Sequence, residues 1–160
     1  MWSSLRSRRN SCHQRNLRKL VPHRCALKIR GPAAILIAMF SDAVLDHFRN
    51  PRNAGELPTA TATVEVSNPV CGDVLKLSAR VENGAITEAR FLCRGCTTAI
   101  ACASLLTDQM TAKAVSELRS ITPESLSAAL GDLPPATFHG AQLAADALAA
   151  LLRTLHQRKL

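Results

Sequence analysis

The chain has 160 residues, 47% apolar and 20% charged, which is globular rather than disordered in composition and the length of one domain. Its longest apolar run, Ala33 to Phe40, has eight residues, far short of the ~18 that cross a bilayer, so the reading is of no membrane span. Six cysteines are too few for a disulfide scaffold and enough for a metal site.

The formal net charge of +8 is unevenly spread. Residues 1–41 hold nine Arg or Lys and no Asp or Glu, while residues 42–160 hold 11 basic and 12 acidic residues. A near-neutral body, in a chain with no Tyr, one Trp (Trp2, in the basic stretch) and four Phe, argues against nucleic-acid binding, which needs a basic patch and stacking rings. Residues 1–38 are set apart from the fold as a basic tail. Three readings stand for it: a mis-assigned start ahead of Met39, an Arg-rich, acid-free targeting leader, or a disordered basic arm. Cys12, His13, His23 and Cys25 go with it as solvated tail residues.

In the body, Ser41 or Asp42 caps a short amphipathic helix bearing Ala43, Val44, Leu45 and Phe48. Pro51 ends it, because the preceding Asn50 is pushed out of the α region. Arg52 to Thr61 reads as loop. Ala62 to Ser67 alternates as a strand, and Val74 to Val81 alternates again with Leu75, Leu77, Ala79 and Val81 on one face. Asn83-Gly84 is a hairpin turn, since both residues tolerate positive φ. The return strand runs from Ala85 to about Cys93. The period then changes: Thr97 to Met110 reads as helix, and Ala112 to Leu118 as a second, shorter one. Pro123 starts a further turn or two and Gly131 stops it. Leu133-Pro134-Pro135 is an extended break. From Phe138 to Gln157, Ala144, Ala147, Leu148, Leu151, Leu152 and Leu155 form one apolar stripe, with Arg153, Arg158 and Lys159 suiting the helix's C-terminal dipole. Strands first and helices after give an α+β fold: a three-stranded antiparallel sheet, helices packed on one face, and a long C-terminal helix.

Four cysteines fall in the body, Cys71, Cys93, Cys96 and Cys102, each a soft ligand once deprotonated. Gly72 frees the turn Cys71-Gly72-Asp73, so Cys71 and Asp73 can project to one side. Cys96 stands where the third strand gives way to a helix, whose free N–H groups favour a thiolate. His139 starts the last helix, just after a rigid Pro134-Pro135. One turn and two helix starts thus offer two sulfurs, a carboxylate and an imidazole to one site. Each residue also has a plain reading. A lone cysteine is commonly a small buried hydrophobe, Cys102 above all, and a lone histidine a cap or surface residue. His47 and His156 read as structural or solvated. Cys93-x-x-Cys96 has no second pair to make a zinc knuckle and no βαβ surroundings for thioredoxin-like chemistry.

The body resembles the scaffold proteins of iron–sulfur cluster assembly, the IscU and NifU N-terminal family. The resemblance runs through Asp46-His47-Phe48, Asn50-Pro51-Arg52-Asn53, Pro69-Val70-Cys71-Gly72-Asp73, Ala89-Arg90-Phe91, Gly95-Cys96, Ala99-Ile100-Ala101 and Ser104-Leu105. It ends on Leu133-Pro134-Pro135 and the helix after His139. Residues 39–160 are then the scaffold domain. The resemblance implies that Cys71, Asp73, Cys96 and His139 hold the metal, with Cys93 an extra candidate ligand, whereas the family's third cysteine, after the histidine, is here Gly140. It implies a scaffold or carrier, not an enzyme, binding iron and a transient [2Fe-2S] cluster for transfer to acceptor proteins. Oxygen and nitrogen ligands would make that cluster labile. A cysteine desulfurase and acceptor apo-proteins are the implied partners, with Cys93, rather than Cys102, the candidate to replace the missing cysteine in receiving sulfur. Ala136-Thr137 stands where the chaperone-recognition motif has Val-Lys, so recognition by an Hsp70-type chaperone is not implied. A zinc-binding structural or regulatory module is the alternative, and a degenerate scaffold lacking assembly activity is another. Reduced cysteines suit a bacterial cytoplasm, or a mitochondrial matrix if the tail is a transit peptide.

Overall fold

The computed structural model describes residues 40–158. The tail readings, its cysteines and histidines, and Lys159 lie outside the described residues. Ser41 caps α1 (Asp42–Arg49), its hydroxyl accepting the Val44 N–H at 3.1 Å. β1 (Ala62–Ser67), β2 (Val74–Glu82) and β3 (Ala85–Arg94) form an antiparallel meander in that order. Val64 pairs with Leu77 and Leu77 with Phe91. Asn83 and Gly84 take the positive φ the turn demands, 53° and 77°. Alternation places Leu75, Leu77 and Ala79 wholly inside, facing the helices. The ladder slips between Arg80 and Val81, so Val81 is only partly buried against the core.

α2 (Thr97–Met110) is the central helix. It is buried almost all round, Ala101 to Thr107 without a break, as expected of a helix lined by small residues that packs on several sides. α3 (Pro123–Ala129) opens on a Thr122/Ser125 capping box. α4 (His139–Gln157) lays Ala141, Leu143, Ala144, Ala147, Leu148, Leu151 and Leu155 into the core. These elements give the α+β architecture, with α2 and α4 against the sheet.

Two expectations are corrected. Ala112 to Leu118 is not a helix. Ala112 turns into the left-handed region at φ 65°, and the segment pairs with β3 instead. Ala112 N–H donates to Ile86 O, Ile86 N–H to Lys113 O, and Val115 N–H to Gly84 O, each at 2.9 Å. Only Glu117–Ser120 coils, as a 3₁₀ turn. The extended break ends sooner than expected, because Pro135–Thr137 is a second 3₁₀ turn leading into α4.

The loop after α1 is firmly held. Ser104 Oγ on α2 lies 2.9 Å from His47 Nδ1 and accepts the Arg52 N–H at 2.8 Å. The Arg52 guanidinium stacks its nitrogen 2.8 Å from His47 Nδ1 and pairs with Asp46 at 2.8 Å. That pairing holds the Asp46 carboxyl below the usual range. Beyond it, Phe91 N–H donates to Asn53 O and Gly55 N–H to Phe91 O, at 3.1 and 2.8 Å. Ala54 thereby adds a parallel rung to the edge of β3.

Candidate metal centre

All four sequence-predicted site residues lie at one end of the sheet. The loop carrying Cys71 closes on itself: Gly72 N–H donates to Asn68 O and Asn68 N–H to Asp73 O, both at 2.8 Å. Gly72, at φ 72°, supplies a backbone conformation a side chain would strain. Cys71 is exposed at the loop's tip, whereas Asp73 at the start of β2 is 5% exposed. One Cys71, one Asp73 and one His139 donor atom lie within 4.8 Å of one another. His139 Nε2 is 3.9 Å from Asp73 Oδ2 and 3.6 Å from Cys96 Sγ.

Cys96 caps α2. The Ala99 N–H donates to its sulfur at 3.4 Å, and the Thr98 hydroxyl lies 3.2 Å away. Asp73 Oδ2 is buried with no hydrogen-bond partner. Such an orphan costs about 1–3 kcal/mol or more, and a cation would satisfy it. The donors are two thiols, a carboxylate and an imidazole, a set that fits iron or zinc.

Cys93 and Cys102 differ from these. Burial pushes the Cys93 thiol up to about 12, with the nearby Asp73 and Cys96 adding to it. Burial likewise pushes Cys102 up to about 12, with Cys96 and Cys93 contributing. Both stay protonated at neutral pH. Two features escaped sequence reasoning. Thr98, 1% exposed, touches the Cys96 sulfur; a threonine two places after a helix-capping cysteine was the available signal. Gly95 leaves room for the Asp73 side chain, whose Cγ would lie 2.8 Å from a Cβ on residue 95.

The NifU-like N terminal domain family matches residues 39–160. The chain is 42% identical over 110 residues to the iron-sulfur cluster assembly scaffold protein IscU 1 of Archaeoglobus fulgidus, covering 69% of this chain and 72% of that one. It is 39% identical over 124 residues to the scaffold protein IscU of Azotobacter vinelandii, covering 75% and 96%. Among solved structures, a putative scaffold for the SUF system from Fervidobacterium islandicum superposes with a TM-score of 0.63 at 19% identity, covering 72% and 97%. That likeness speaks to the fold.

Proposed function

The chain belongs to the NifU-like N-terminal family of iron–sulfur cluster assembly scaffolds, and from that premise we propose that it binds iron, holds a transient [2Fe-2S] cluster as cargo and passes it to acceptor apo-proteins. The observation that carries this is the convergence of Cys71, Asp73 and His139 within 4.8 Å, with Cys96 Sγ 3.6 Å from the same imidazole. Cys71 and Cys96 supply thiolates, Asp73 a carboxylate and His139 a neutral nitrogen. Two non-sulfur donors hold the cargo loosely, which suits hand-over.

Sulfur comes from a separate cysteine desulfurase. Cys71 is the exposed thiol of the site, and Cys93 is too weakly ionised to be a good nucleophile. The Cys71 thiolate attacks the outer sulfur of the donor's persulfide. A new S–S bond forms on Cys71, the donor's S–S bond breaks, and the donor leaves as a thiolate; a separate electron donor then supplies the two electrons that reduce the transferred sulfur to sulfide. No helix among the described residues is long and apolar enough to cross a membrane. Free thiols suit the bacterial cytoplasm, or the mitochondrial matrix if the tail is a transit peptide.

Anaerobic reconstitution with iron and sulfide, read by visible absorption and Mössbauer spectroscopy, tests the reading. Wild type should form the cluster and transfer it to an apo-ferredoxin, and Cys96→Ala should not. Full cluster yield in Cys96→Ala would remove Cys96 from the site. Zinc takes the same donors. Protein that retains zinc and forms no cluster under these conditions would make the chain a zinc module instead.

A further inference from the structure

Resting on the scaffold reading, we propose that Gly140 is a positioning residue: by lacking a side chain it seats α4 close enough to α2 for His139 to complete the donor set beside Cys96, in place of any donor at position 140. Gly140 is buried. A Cβ built on it would lie 2.9 Å from Ala99 N, 2.9 Å from Thr98 C and 3.1 Å from Thr98 O. These neighbours are backbone atoms in the first turn of α2, held under the Cys96 cap, so they cannot swing aside as a flexible side chain would.

The next residue back is His139, whose Nε2 is 3.6 Å from Cys96 Sγ. The two sites share one helix turn: position 140 faces the Thr98–Ala99 peptide while residue 139 reaches the sulfur. Restoring ordinary van der Waals spacing at a new Cβ needs a shift of about 0.5 Å, and metal–ligand distances tolerate only about 0.2 Å. A side chain at 140 therefore lifts the first turn of α4 off α2 and carries the imidazole with it. A cysteine there starts from a Cβ pressed against a peptide, so it disturbs the histidine before it can act as a donor.

Cobalt(II) binding to the full chain, by competition with a chelator under anaerobic conditions, tests this without sulfide or cluster. Wild type should show the charge-transfer intensity of two thiolates. Gly140→Ala, folded by circular dichroism, should bind cobalt about 10-fold or more weakly. Gly140→Cys should keep two-thiolate intensity and also bind more weakly. His139→Ala should weaken binding similarly, and adding Gly140→Ala to it should cost nothing further, because both act through one imidazole. A third thiolate band with tighter binding in Gly140→Cys, wild-type affinity in Gly140→Ala, or additive losses would overturn the proposal. Unchanged cobalt affinity and spectrum in His139→Ala would overturn it even if the position-140 variants do not fold. A normal cobalt site with no reconstituted cluster would sink the scaffold reading and leave this inference standing; the reverse result would do the opposite.

Discussion

The side chain of Asp73 fills the space that a Cβ on Gly95 would occupy, 2.8 Å from Asp73 Cγ and 3.0 Å from Oδ1. The glycine before the Cys96 cap thus sets where the carboxylate sits. Gly95→Ala should cost about 1–3 kcal/mol through overpacking and displace Asp73 from Cys71 and His139. Urea unfolding should give a lower midpoint at unchanged slope, and iron retention should fall. Wild-type iron retention in this variant would show that Asp73 is not held by Gly95.

Asp73 itself should trade stability for binding. Its Oδ2 is buried and unpartnered in the metal-free protein. Asp73→Ala removes that orphan, so the metal-free variant should be more stable than wild type by about 1 kcal/mol while binding iron or cobalt more weakly. A destabilised metal-free variant would mean that the carboxylate has a partner in solution.

Thiol chemistry should separate the body's cysteines. With thiols pushed up to about 12, Cys93 and Cys102 carry roughly one thiolate in ten thousand at pH 8. Brief iodoacetamide treatment, followed by peptide mass spectrometry, should label Cys71 first and leave Cys93 and Cys102 unlabelled. Fast labelling of Cys93 would restore it as the sulfur-receiving thiol.

His47 should make stability depend on pH. Burial, then the Arg52 guanidinium, lower its pKa from 6.5, against the opposing pull of Asp46 and Asp108. In the unfolded chain the imidazole protonates near its ordinary pKa, about 6.5, while the folded protein resists. Its contribution is full above that value and is lost as pH falls through the lowered folded pKa. The melting temperature should therefore drop between pH 7.5 and 5, and drop less in His47→Gln. Equal slopes in the two proteins would exclude His47 as the cause.

Much of the architecture was legible locally. The alternation through Leu75, Leu77 and Ala79 placed β2, Asn83-Gly84 placed the hairpin, and the change of period at Thr97 placed α2. Ala112 to Leu118 misled because its small and apolar residues suit a helix. What decides its conformation is pairing with Ile86 and Gly84, across a distance in sequence that local pattern does not see. The loop at Asn53 and Ala54 was hidden for the same reason: its partner, Phe91, lies a whole hairpin away. At the site, donor types and their places at a turn and two helix starts could be read. The absence of a cysteine at 140 was also plain. Its steric meaning was not, because that depends on how closely two helix ends approach.

The rung that Ala54 adds beside Phe91 gives β3 a neighbour on each flank, three residues before its final residue, Arg94. The strand that delivers Cys96 is therefore clamped rather than free to flap. Amide exchange at Phe91 and Gly55 should be among the slowest near the donors, while the loop tip at Val70 and Cys71 exchanges readily. The donors thus rest on two kinds of support: Cys96 follows a strand paired on both flanks, and Cys71 sits at the exposed tip of a loop that closes on itself.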